Sequence, residues 1–85
     1  MELKLFYRTQ RDLALAINKV VDAYWNEEIN EHELIESIQY IYENNYFRMI
    51  KNGDFPSVLR QQCGKRRLQI VMRILNVEED ILKKS

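Results

Sequence analysis

Five basic residues in the last third of the chain could bind a polyanion. The set is Arg60, Lys65, Arg66, Arg67 and Arg73. Its three consecutive members follow a glycine, and helix-turn-helix proteins use the start of their second helix to contact phosphates and base edges. Arg60 and Arg73 disagree with that motif, because they stand where a small and an apolar residue are usual. The set predicts a DNA-binding regulator as one hypothesis, although the net charge of zero weakens attraction to phosphate.

A second group of residues combines aromatic rings with carboxylates. Its members are Glu36, Tyr40, Glu43 and Phe47. The two aromatic residues lie off the apolar stripe of the predicted helix, and exposed aromatic side chains anchor many protein interfaces. By contrast, we expect Tyr24, Tyr42 and Tyr46 at the rim of the core. The group therefore predicts a surface that binds a protein partner.

Metal binding and catalysis have little support in the sequence. Glu28, His32 and Glu36 are spaced four residues apart, but a helix that begins after Asn30 excludes Glu28, and one histidine with carboxylates is not a specific site. Cys63 has no evident catalytic partner, so we expect a small buried side chain. The sequence contains neither a glycine-rich phosphate loop nor a Ser-His-Asp set. We predict no enzymatic activity, no cofactor, no metal and no small-molecule substrate.

The composition is typical of one small soluble domain spanning residues 1–85. Of the 85 residues, 46% are hydrophobic and 31% are charged. No segment approaches the roughly 18 apolar residues of a membrane helix, and the first residues lack the apolar core of a signal peptide. The single cysteine is typical of a reducing compartment. We expect a cytoplasmic protein that does not bind membranes.

Charge is unevenly distributed along the chain. Residues 1–50 contain five basic and nine acidic residues, a net charge of −4. Residues 51–85 contain eight basic and four acidic residues, a net charge of +4. This asymmetry fits a charged partner surface or head-to-tail self-association, and it equally fits two solvated faces that partly neutralise each other.

Helices must position both groups of residues. Apolar residues recur at helical spacing after Thr9 and after Asn30, and each of these two residues is followed three positions later by an acid, as at helix N-caps. We predict one helix from Thr9. A second should run from Asn30 to Lys51, straight or bent, although Asn44-Asn45 also resembles a helix end and leaves its continuity there open. Residues 1–8 should form an extended arm, packed on the helices or completed as a strand by another subunit.

The stretch from Pro56 to Leu75 cannot be one straight helix. Its two halves place apolar residues on different helical faces, and a break at Gly64 lets both halves face one core. A short last helix should follow a cap at Asn76. The whole is an all-α, single-domain bundle of about four helices with an extended N-terminal arm. The predicted core is Leu13, Ile17, Val20, Val21, Tyr24, Leu34, Ile38, Ile41, Leu59, Leu68, Val71 and Leu75.

Several short runs carry a family resemblance. They are Thr9-Gln10-Arg11-Asp12-Leu13-Ala14, Asp22-Ala23-Tyr24-Trp25, Asn44-Asn45, Gly64-Lys65-Arg66-Arg67-Leu68 and Arg73-Ile74-Leu75. Through them, most of the chain resembles a family of small, uncharacterised all-helical proteins of low-GC Gram-positive bacteria and their phages. The resemblance supplies no activity and no site residues. It implies a small cytoplasmic or mobile-element protein, and such proteins often bind a host protein or a promoter.

Together these observations predict a non-enzymatic protein-binding module with a regulatory or inhibitory role. A homodimer is one form that the partnership could take. The alternative is a helix-turn-helix-like DNA-binding regulator that uses the basic helix after Gly64.

Overall fold

The computed structural model describes residues 3–84, with side chains through Leu75, and confirms an all-α bundle. The helices are α1 (Gln10–Trp25), α2 (Glu31–Asn44), α3 (Tyr46–Met49) and α4 (Ser57–Lys84). Within residues 3–84 there is no strand beyond an isolated bridge between Lys51 and Asp54. No helix in this part of the chain is long and apolar enough to cross a membrane.

Side-chain caps start the first two helices where the sequence predicts. The Thr9 hydroxyl accepts a hydrogen bond from the Asp12 N–H at 3.0 Å, which begins α1. At α2 the Asn30 side chain accepts from the Glu33 N–H at 2.8 Å, and the Glu33 carboxylate accepts from the Asn30 N–H at 3.2 Å. This reciprocal pair satisfies two N–H groups that the helix itself leaves without partners.

The prediction of one helix from Asn30 to Lys51 is wrong. Helix α2 ends at Asn44, Asn45 leaves the helical conformation at φ −135°, and α3 is a separate turn. The next segment reverses through Asn52 and Gly53, both at positive φ (54° and 78°), between paired residues 51 and 54. Two positive φ values in a two-residue turn define a tight reversal for which Asn-Gly is the preferred sequence.

The predicted break in the last long helix is confirmed at Gly64. Its φ of 79° and ψ of 169° lie in a region open essentially to glycine alone, and they divide α4 into residues 57–63 and 65–84. The separate last helix predicted after Asn76 is wrong, because the backbone remains helical to Lys84. Residues 65–84 contain no glycine or proline that would end the helix. The predicted side-chain cap at Asn76 lies outside the described side chains.

The core forms where α1 packs against α4, with α2 and α3 alongside. Eleven of the twelve predicted core residues are buried, and Tyr24 is half-buried against them. Small residues meet where α1 contacts α4, and there the Cys63 thiol donates to the Ala14 carbonyl at 3.6 Å. The described part of the arm, residues 3–8, forms neither helix nor strand and bends at residues 5 and 8. It packs on the helices through the buried Tyr7 side chain, as predicted.

Candidate partner-binding surfaces

The five predicted basic residues divide into four that are exposed and one, Arg67, that is half-buried. Exposed members are Arg60, Lys65, Arg66 and Arg73. Arg60 lies 3.6 Å from the Asp54 carboxylate in a solvent-exposed pair. Among the described side chains, Lys65, Arg66 and Arg73 form no ion pair.

Arg67 is held inside the fold by three partners. Its Nε and Nη2 atoms donate to the two oxygens of Asp22 on α1, at 2.9 and 3.0 Å, and its Nη1 donates to the Cys63 carbonyl at 3.0 Å. The guanidinium also lies 5.9 Å from the ring centroid of Trp25. The hydrogen bonds that Arg67 donates to the Asp22 carboxylate raise the pKa of Arg67 above its usual range. This bidentate geometry ties α4 to α1, and the three hydrogen bonds use three of the five guanidinium N–H groups.

The interruption at Gly64 is shorter than the turn of a DNA-binding motif. Helical conformation resumes at Lys65, so one residue separates the two halves of α4. A helix-turn-helix joins its helices through three to four residues. The exposed cations are therefore presented by a kinked helix.

A groove lies beside this kink, lined by Gly64 and Lys65 among others, and we call it the α4 groove. Its volume is about 610 Å³. The lining residues that matter here are apolar (Phe55, Leu68 and Met72), cationic (Arg60, Lys65 and Arg73) and acidic (Asp54). Arg66 does not line it.

The predicted acidic and aromatic group is exposed, but it does not form one helical stripe. Glu36, Tyr40 and Glu43 lie on α2, while Phe47 lies on α3 beyond the break at Asn45. Glu36 also pairs with the His32 ring at 2.9 Å. The break thus separates Phe47 from the other three residues.

Phe47 belongs instead to an apolar patch that the sequence did not predict. Phe47 is 90% exposed, and its neighbour Tyr46 is 46% exposed rather than at the core rim. On the arm, Leu5 and Phe6 are 61% and 57% exposed. We call these four residues the apolar patch. The rings of Tyr46 and Phe47 meet edge to face at 5.5 Å, and Arg48 lies 4.9 Å from the Phe6 centroid.

Asn45 holds the two halves of the apolar patch together. Its side chain, in a residue only 3% exposed, accepts the Tyr7 N–H at 3.0 Å and donates to the Leu5 carbonyl at 3.3 Å. The same amide donates to the Ile41 carbonyl at 3.0 Å, near the end of α2. The arm is therefore fixed beside the start of α3.

The groups considered for catalysis and metal binding are not assembled in the described part of the chain. Burial raises the pKa of the Cys63 thiol to about 11, although Arg67 acts in the opposite direction, so at neutral pH the thiol is protonated. No three His, Cys, Asp or Glu side chains in this part of the chain could together hold a metal ion.

One family model matches this chain. Residues 4–76 match the model of a family described as conserved hypothetical proteins. No curated protein and no solved structure matches the chain.

Proposed function

The chain belongs to this family of conserved hypothetical proteins, and we propose that it is a non-enzymatic module that binds a partner protein through the apolar patch. The observation that carries the proposal is the exposure of four large apolar side chains on two segments, which are joined by the hydrogen bond from Asn45 to Leu5 and by the contact of Arg48 with Phe6. Single exposed hydrophobic residues are ordinary on protein surfaces, whereas a group of them marks an interaction site. Aromatic residues are also the commonest anchors of protein interfaces.

The apolar patch is organised before any partner arrives. Asn45 fixes the arm by hydrogen bonds to the backbone of Leu5 and Tyr7, so Leu5 and Phe6 do not have to be ordered on binding. A surface that is already ordered loses less conformational entropy when it binds. Phe47 is almost entirely outside the fold, so its burial on binding gains nearly the full transfer free energy of a phenylalanine side chain.

The test is a comparison of partner capture by the native chain and by variants of the apolar patch. We expect Phe47→Ser and Phe6→Ser each to weaken a captured complex by about 30-fold, as loss of an interface anchor worth about 2 kcal/mol requires. Leu15→Ser is the control, because Leu15 is 49% exposed on α1 and outside the patch. Thermal melts establish that each variant is folded.

Either of two results contradicts the proposal. Capture that persists unchanged in both patch variants removes the patch from the interface. If Leu15→Ser reduces partner capture as much as the patch variants do, general surface hydrophobicity rather than the apolar patch retains the captured proteins.

A DNA-binding regulator is the second candidate, and the exposure of Lys65, Arg66 and Arg73 on α4 supports it. The test is fluorescence anisotropy of a labelled duplex at low and moderate salt, with Arg66→Glu as the variant. Binding that weakens steeply with salt and is lost in the folded variant favours DNA. Absence of binding at low salt excludes it.

We also propose the setting that accompanies a regulatory or inhibitory protein-binding module. It is a cytoplasmic protein of a low-GC Gram-positive bacterium or one of its phages. The resemblance of the short runs around residues 9–14 and 64–68 supports this origin.

A further inference from the structure

The α4 groove combines an apolar floor with a cationic rim. Phe55 and Leu68 reach the floor from the core and are only 6% and 7% exposed, whereas Met72 is 40% exposed and leaves apolar surface open to solvent. Its lining includes three cations and one carboxylate, Asp54, so the groove carries a net positive charge. None of these residues belongs to the apolar patch.

The spacing of the rim cations matches the repeat of an α-helix. Lys65 and Arg73 are eight residues apart on α4, which separates their Cα atoms by about 12 Å along the axis. Two carboxylates about two helical turns apart on a docked helix cover the same distance. Arg60 adds a third cation across the kink, where its 3.6 Å pair with Asp54 is exposed and weak.

The apolar floor distinguishes a peptide from a nucleic acid as the occupant. A phosphate backbone is bound by cations and hydrogen-bond donors, and it gains nothing from Phe55 or Leu68 beneath it. An amphipathic helix, by contrast, buries an apolar face in a groove and presents charge at its edges.

From this complementarity we propose that the α4 groove binds an acidic amphipathic helix of a partner protein. Leucine-type side chains of that helix lie on the floor, and its flanking carboxylates pair with Lys65, Arg73 and Arg60. This inference goes beyond the apolar patch and does not depend on it.

The test uses a fluorescein-labelled synthetic peptide of about four helical turns, with leucines at helical spacing and glutamates on both flanks. Anisotropy titrations compare the native chain with Met72→Ser and with a double variant that carries both Lys65→Glu and Arg73→Glu. We expect the Lys65→Glu, Arg73→Glu double variant to bind at least about tenfold more weakly. Arg66→Glu is the matched control, because this neighbouring exposed cation does not line the groove, and its affinity should stay within about twofold.

A second peptide tests the floor. Replacing its leucines with glutamine keeps the negative charge and removes the apolar face, so we expect its binding to fall to the level of the double variant. Equal binding of both peptides, or equal loss of affinity in Arg66→Glu, overturns the proposal in favour of a general polyanion surface. If duplex DNA displaces the peptide, and if Arg66→Glu weakens the binding of DNA and peptide equally, the proposal is overturned in favour of nucleic acid.

Two further measurements are needed. The first tests whether a second copy of the chain occupies the groove, and the second distinguishes the α4 groove from the apolar patch. Sedimentation of the protein alone should be unchanged by Arg73→Glu; self-association that this variant abolishes assigns the groove to a second copy and overturns the proposal. Phe47→Ser should bind the peptide like the native chain, so failure of the α4 groove and failure of the apolar patch are distinguishable. All of the substituted side chains are exposed, and thermal melts identify any variant that does not fold.

Discussion

Replacing Asn45 with alanine should both destabilise the fold and release the arm. The Asn45 side chain makes three hydrogen bonds to backbone groups, those of Tyr7, Leu5 and Ile41. Alanine makes none of them. The Tyr7 N–H then remains in a buried position without its acceptor, and two carbonyls lose a donor.

The magnitude follows from the burial of these groups. An unsatisfied buried donor costs about 1–3 kcal/mol, and each lost hydrogen bond to a carbonyl about 0.5–1.5 kcal/mol. We expect a loss of about 2–6 kcal/mol, against a total stability of about 4–13 kcal/mol for a chain of 85 residues.

Urea denaturation followed by circular dichroism measures this loss, and hydrogen exchange of the Tyr7 amide reports on the arm. Asn44→Ala is the matched control, because the Asn44 side chain bonds only the Tyr40 carbonyl one turn earlier, at 2.8 Å. We expect the control to change the free energy of unfolding by less than about 0.5 kcal/mol. The reasoning is refuted if Asn45→Ala costs no more than Asn44→Ala, or if the Tyr7 amide stays fully protected in Asn45→Ala.

Three further substitutions test the helices and the core. Gly64→Ala should lower the free energy of unfolding, measured by urea denaturation, by about 1–3 kcal/mol. An added Cβ meets no atom within 4 Å, so the whole effect is backbone strain at φ 79°. A loss of less than about 0.5 kcal/mol contradicts that conformation. Ile38→Ala should cost about 2–5 kcal/mol, since Ile38 is fully buried, and an unchanged melting curve contradicts its place in the core. Burial raises the pKa of the Cys63 thiol from 9.0 to about 11, so the unfolded chain releases this proton first. The free energy of unfolding should therefore fall between pH 9 and 11 relative to Cys63→Ala, and parallel pH profiles of the two proteins contradict this.

Features encoded within a few residues could be predicted from the sequence. The caps at Thr9 and Asn30 each involve residues three positions apart, so the local pattern contains both partners. The break at Gly64 follows from the two incompatible apolar faces on either side of it. The buried core residues could also be predicted, because helical periodicity is a pattern within a few neighbouring residues.

Features that depend on distant residues could not be predicted in this way. Asn45 has its partners in the arm, 38 and 40 residues earlier, so periodicity alone favoured a helix through it. Met49 is indeed buried as that periodicity required, but it reaches the core from a separate turn. Arg67 looked like one member of a basic triplet, although its partner Asp22 lies 45 residues away. Its place one turn before the buried Val71 was the available signal that it faces inward.

The two surfaces proposed for binding lie at the two places where the helices are interrupted. Asn45 ends α2 and fixes the arm, which brings the two halves of the apolar patch together. Gly64 kinks α4 and lines the α4 groove that opens there. The break at Gly64 is also what lets both halves of α4 face the core, so one glycine serves the packing and shapes the groove. The interruption at Asn45, by contrast, departs from the helix that the local pattern favours, and in natural proteins such departures concentrate at functional sites.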